Sequence, residues 1–296
     1  IKAPVFDADS AYAYVKAQTD FGPRVPNTQA HRDCGEYLAK QLEKYGAKVY
    51  NQYADLEAWD GTILKARNII GAFNPDNKKR VMLCAHWDSR PYADYDADEK
   101  NHKKPIDGAN DGASGVGVLL EIARQIQKEA PSIGIDIIFF DAEDYGTPAW
   151  HRGSYKAHDW CLGSQYWGRT PHVQGYFARY GILLDMVGGK GGTFYYEPYS
   201  YRTARKEVKK IWNKAHELGY GSYFVKQEGS EVTDDHVYVN QLARIPCVDI
   251  INYDPVYENS SFGPTWHTVN DNIHNIDRNT LKAVGQTVMD VIYNEK

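Results

Sequence analysis

Three acids crowd the end of one apolar run: in IIFFDAED, residues 137–144, Asp141, Glu143 and Asp144 follow two isoleucines and two phenylalanines. A run of that composition reads as a strand buried on both faces. Its acids then emerge together at the carboxyl edge of a sheet, where open α/β folds hold their ligands. Carboxylates so placed repel one another unless a cation or a proton is supplied. The pattern recurs along the chain: AHWD delivers His86 and Asp88 after an apolar run, and LLD delivers Asp185. The small-residue loop GANDGASG carries Asp111, VTDDH carries Asp234, Asp235 and His236, and PTWHT carries Trp266 and His267. Carboxylate oxygen with imidazole nitrogen suits zinc, and three protein ligands with one open position is the catalytic rather than the structural arrangement. Each piece alone has an ordinary reading, a strand that meets solvent through an acid. His102 and His158 read as plain surface, whereas acids at other strand ends would meet His86 and His267.

The elements that must position these residues follow from periodicity. Helical and strand-like stretches alternate, which argues for a layered α/β domain with some parallel pairing. Helical spacing covers 9–19 and 30–45, the second closed by Gly46, which can take the left-handed cap. Strands over 48–53 and 64–72 read as a hairpin, followed by the turn NPDNKK and a buried strand over 81–85. Segment 89–107 is too polar for core and reads as a solvated insertion or a functional loop. A helix over 116–128 follows the Asp111 loop, and its free N-terminal amides favour negative charge nearby. Strands over 135–140, 181–184 and 246–252 and helices over 201–218 and 279–293 complete the pattern. Between them lie a Trp- and Gly-rich excursion over 145–170 and the loops 232–236 and 264–268. Neither a linker nor an internal repeat interrupts the sequence, which predicts one domain over 1–296.

Composition narrows the partners. With 42% hydrophobic and 25% charged residues and a net charge of -5, the chain suits small or peptide ligands and not nucleic acid. No apolar stretch approaches the roughly 18 residues of a membrane helix. The start, IKAPVF, lacks an initiator Met and any signal-like region, which suits a processed, exported protein. Cys34, Cys84, Cys161 and Cys247 show no metal-binding spacing; Cys84 and Cys247 sit in apolar runs as buried thiols, and disulfides stay open. The 23 tyrosines suggest amphipathic contacts along surfaces and clefts.

The ordered series GPRVPNTQAH, AHWDSRP, GANDGASGV, FFDAED, GSQYW, LLDMVG, DDHVYV and WHTVNDN resembles the zinc-dependent M28 peptidase superfamily. Its closest likeness there is to the type II glutaminyl-peptide cyclotransferases, the glutaminyl cyclases. The resemblance implies an α/β three-layer sandwich, a mixed, twisted central sheet flanked by helices. It implies zinc ligands at Asp111, Asp144 and His267 and a general acid/base at Glu143. Animal cyclases usually show Glu where this chain has Asp144, whose reach is shorter. Aminopeptidases of the superfamily bind a second zinc through residues matching His86 and Asp185, both present, so the ligands alone leave one ion or two open. Asp234-Asp235-His236, where aminopeptidases commonly have Ser-Asp-His, and Trp266 before His267 both favour the cyclase.

On that resemblance the expected reaction is cyclisation of N-terminal glutamine to pyroglutamate on peptides or proteins, with loss of ammonia. Asp185 and Asp234 would hydrogen-bond near the reacting amine and amide, and Trp266 would form an apolar wall. Asp88 would orient His86 or nearby backbone, and Asp235 and His236 would fix the loop carrying Asp234. The rivals are a two-zinc aminopeptidase, with Glu143 activating water, and a silent binding module, which has no need of Glu143 beside every ligand. Export, periplasmic or secreted, is the expected location.

Overall fold

The computed structural model describes residues 2–296. In chain order its elements are α1 (Ala8–Asp20), α2 (Gln29–Lys44), β1 (Lys48–Glu57), β2 (Ile63–Phe73), β3 (Arg80–His86), α3 (Gly115–Lys128), β4 (Gly134–Phe140) and α4 (Leu162–Arg169). There follow β5 (Gly181–Asp185), β6 (Phe194–Tyr196), α5 (Pro198–Thr203), α6 (Arg205–Glu217), β7 (Phe224–Glu228), α7 (Asp235–Ala243), β8 (Cys247–Ile251) and α8 (Arg278–Tyr293). The six-stranded sheet has the order β1-β2-β4-β3-β5-β8. β1, β2 and β4 pair antiparallel, while β4, β3, β5 and β8 run parallel. The sheet is therefore mixed, and its four parallel strands all point their carboxyl ends at one edge.

Two unequal helical layers explain the apolar runs. In β4 the side chains alternate across the pleat: Ile137 and Phe139 join the large core, Ile138 and Phe140 the smaller one. α1, α2, α3, α6 and α8 supply the large core, while Trp167 of α4 and Val239 of α7 meet the other face. Every residue of β3 and β4 is buried, so both strands are apolar but for His86 and for Arg80 and Asp136, which pair with each other at 2.7 Å. Each such Ile or Phe contributes about 1.5–3 kcal/mol by leaving water. The edge strand β1 alternates in exposure instead and carries Lys48, Asp55 and Glu57, charges that discourage further pairing.

The structure departs from the sequence reading in several places. The excursion 145–170 contains α4, a helix of eight residues that the glycines had masked. The expected helix 201–218 is broken at Ala204, whose φ of -143° is not helical, into α5 and α6. Asp235 and His236 are the first turn of α7, with Asp234 as its cap, rather than loop. β6 and β7 form a separate parallel pair. All four cysteines are buried and free, which closes the disulfide alternative. The inner part of 89–107 is no solvated insertion: Arg90, Asp94 and Ile106 are buried, and Arg90 donates to the carbonyls of Asp144 and Gly146.

Candidate active site

Parallel pairing brings the ends of β3, β4 and β5 together, and with them His86, the Asp141–Asp144 turn and Asp185. The turn is held from below. Asp88 accepts the backbone N–H of Glu143 at 3.1 Å and of Asp144 at 3.0 Å, while its Oδ1 lies 3.2 Å from His86 Nδ1. One carboxylate therefore fixes both the acidic turn and the imidazole. Asp141, in contrast, points away: its Oδ2 accepts the Arg67 N–H at 2.7 Å and lies 2.8 Å from His31 Nε2. Ala142, Met186 and His267 have φ of 53°, 54° and 54°. For residues other than glycine this left-handed geometry costs roughly 1–2 kcal/mol each, and each of the three is itself a site residue or adjoins one. Asp111 sits at a kink in the segment Ala109–Ser114, its own φ of -108° and ψ of 89° not helical, and the N–H groups of Asn110 and Asp111 donate to Asp271 at 2.7 and 3.1 Å. Gly112 lets this turn press on His86; a Cβ there would stand 2.7 Å from the imidazole Cε1 and Nε2.

Two overlapping trios result. His267 Nε2 lies 3.0 Å from Asp144 Oδ1 and 3.3 Å from Asp111 Oδ2. His86 Nε2 lies 2.8 Å from Asp111 Oδ1, 3.5 Å from Asp185 Oδ1 and 4.0 Å from Glu143 Oε2. Within Asp111, Asp144 and His267, and likewise within His86, Asp111 and Asp185, one donor atom per residue lies within 4.8 Å of the others. Oxygen and nitrogen donors at that spread fit a zinc ion in the first trio, where Asp144 Oδ2 has no hydrogen-bond partner and His267 turns Nε2 toward both carboxylates. Glu143 belongs to neither of these two trios but meets Asp234 and Cys161 within the same 4.8 Å. Trp266 stacks on His267 with ring centroids 3.8 Å apart.

The site is buried and crowded with charge, and its groups titrate far from their usual values. Burial raises Glu143 well above the carboxylate range, reinforced by Asp144, Asp234 and Asp185 and opposed by His86. Burial and Asp111 push Asp144 up to about 6, while burial and Asp234 raise Asp185. Asp111 moves down despite burial, because both histidines reach its oxygens. Burial alone would lower His86 and His267; Glu143 and the hydrogen-bonded acids instead lift His86 well above its usual value, and Asp144 and Asp111 lift His267 to about 9. Excess negative charge of this kind is what a divalent cation relieves.

Above these groups opens a cleft of about 440 Å³ whose walls include Glu143, Asp234, Trp160, Phe262 and Trp266. Sequence reasoning missed Trp160, Arg90, Asp94 and Asp271. Trp160 lies in the Trp- and Gly-rich excursion, to which no site residue was assigned, and Asp271 lies within the WHTVNDN run around His267. Asp235 accepts from Ser164 at 2.6 Å and His236 lies 2.7 Å from Glu197, both beneath the cleft.

The chain is similar to the solved glutaminyl cyclase of Bacteroides thetaiotaomicron bound to N-acetylhistamine, with 63% identity over 100% of both chains and a TM-score of 0.98. A solved leucine aminopeptidase precursor from the same organism matches at 62% identity, again over 100% of both chains, with a TM-score of 0.97. Among curated proteins, the glutaminyl-peptide cyclotransferase of Bos taurus is 28% identical over 72% of this chain, which spans 62% of that relative's length. Residues 68–292 match the model of peptidase family M28. The chain belongs to peptidase family M28.

Proposed function

We propose that the protein is a glutaminyl-peptide cyclotransferase with one zinc, converting N-terminal glutamine of peptides or proteins to pyroglutamate and ammonia. The observation that carries this reading is Glu143, a buried carboxylate beside the Asp111–Asp144–His267 trio but outside it, facing Asp234. The likeness to solved cyclases at 63% and 62% identity supports it. Zinc held by Asp111, Asp144 and His267 would supply Lewis acidity toward the γ-carbonyl oxygen of the glutamine. Glu143 accepts the proton that the α-amine loses on attacking the γ-carbon and returns it to the departing ammonia. That double duty needs an acid raised toward neutrality, as burial provides here. Asp185 and Asp234 hold the amine and amide in ring-forming register, a gain available to any oriented intramolecular attack. Trp266 walls the pocket. The whole chain acts as one catalytic domain, and the reading carries with it an exported location, periplasmic or secreted, which cell fractionation checks.

The trio of His86, Asp111 and Asp185 favours a second reading, a two-zinc aminopeptidase in which Glu143 activates water. Mass spectrometry of a Gln-initiated peptide separates the two. The cyclase leaves a product lighter by one ammonia with every residue retained. Loss of the first residue, from this or from ordinary N-termini, would reject the cyclase.

A further inference from the structure

Next to Asp234 lie two buried acids, Asp249 and Glu197, that the reaction above does not employ. Asp249 is the middle residue of β8 and is fully buried, a costly place for a lone charge. One donor atom each of Asp249, Asp234 and His236 lie within 4.8 Å of one another. His236 Nε2 lies 2.7 Å from Glu197 Oε1 and Nδ1 lies 3.3 Å from Asp249 Oδ2. Ser200 spends its hydroxyl hydrogen on Glu197 at 2.7 Å and accepts the Asp249 N–H at 3.0 Å. Glu197 thus collects the donors of this region. Neither oxygen of Asp249, nor Oδ2 of Asp234, receives a hydrogen bond from any other described residue. His236 Nδ1, 3.3 Å from Asp249 Oδ2, makes no hydrogen bond there, and two buried carboxylates left facing each other are relieved by sharing a hydrogen of their own.

We propose that Asp249 is a positioning residue, a carboxylic acid whose O–H donates to Asp234 and holds that side chain at the floor of the cleft. The groups that face it are Asp234 ahead of α7, His236 in α7, Glu197 and Ser200 at the start of α5, and Asp185 at the end of β5. Burial first, then Asp234, with Asp185 and Glu197 adding to it, keeps Asp249 well above the usual carboxylate range. His236 turns Nε2 to Glu197 at 2.7 Å and leaves Nδ1 3.3 Å from Asp249 Oδ2 without a hydrogen bond, so Asp234 is the acceptor assigned to the O–H.

The test compares Asp249→Asn, which still offers an N–H to Asp234, with Asp249→Leu, which offers nothing. The expected result is that the asparagine enzyme keeps kcat within about threefold of wild type, whereas the leucine enzyme loses about tenfold or more with KM nearly unchanged. Infrared difference spectra of zinc-loaded protein at neutral pH should show one protonated-carboxyl C=O stretch in the wild type that Asp249→Asn lacks. An asparagine variant as impaired as the leucine one would overturn the proposal, since Asp249 would then be needed as an anion. Wild-type activity in the leucine variant would overturn it too, as would a metal-to-protein ratio that falls in Asp249→Asn, the mark of a cation held there. Should the leucine variant not fold, the asparagine kinetics and spectrum still decide. The assay alone rests on the cyclase reading: absence of turnover on every Gln-peptide rejects that reading and leaves the infrared result standing.

Discussion

The two trios that share Asp111 are alike in donor chemistry and unlike in how far the protein already satisfies them. His86 has an acceptor near each nitrogen, the Asp88 carbonyl at 3.0 Å from Nδ1 and Asp111 Oδ1 at 2.8 Å from Nε2. His267 has Asp144 and Asp111 near Nε2, but its Nδ1 stands 3.6 Å from Asp94 and makes no hydrogen bond. Each trio has one bare carboxylate oxygen, Asp144 Oδ2 in the first and Asp185 Oδ1 in the second, so the contrast lies in the histidines: both nitrogens of His86 have acceptors within 3.0 Å, whereas the bare Nδ1 of His267 turns away from its trio toward Asp94. Buried polar atoms are seldom left bare. The difference teaches that identical ligand types do not make identical sites. What the protein's own hydrogen bonds already occupy separates an ion site from an ordered ion pair.

The sharpest way to break this comparison removes the residue both trios share. Asp111→Ala should abolish zinc binding and turnover together, because either ion would lose a ligand; zinc content by atomic absorption beside a Gln-peptide assay checks it. Asp144→Ala and His267→Ala should do nearly the same, and retention of one full zinc by either would place the ion in the other trio. Glu143→Gln should lower kcat by about 10²–10⁴ with zinc retained, the size of a lost general acid/base. Full activity in that variant would reject the assigned base. His86→Ala sharpens the comparison most directly: with one ion, zinc stays at one per chain and activity drops about 10–100-fold through lost support of Asp111, whereas a fall from two ions to one would favour the aminopeptidase. The smallest effect is expected of Trp266→Ala, about tenfold in KM for a lost apolar wall, with kcat largely kept.

Much of this was legible in the residues, and what was missed has physical causes. Strands buried on both faces announce themselves because their runs are almost wholly apolar, so β3, β4 and β5 and the acids at their ends were readable. α4 was not, since Gly163 and Gly168 lower helix propensity and only packing against α7 and the sheet compensates. The roles of Arg90 and Asp94 were hidden in a polar segment. Their pairing at 2.7 Å buries both, and no periodicity signals a salt bridge between neighbours in a loop. Asp249 was equally silent, an acid inside a run otherwise apolar, CVDII. Read along the chain it is an anomaly, and only the arrival of Asp234 and His236 from α7 gives it a partner.

The chain by itself determined its layered α/β class, its buried strands and the acids at their ends, because periodicity and burial are local properties of residue order. Which of those acids share an ion, which turn away as Asp141 does, and which lie stacked beneath the floor was decided only in three dimensions. Distances of a few ångströms between residues far apart in the chain, such as the 161 positions between Asn110 and Asp271, depend on strand order and on the angle of each turn. No spacing along a sequence encodes them.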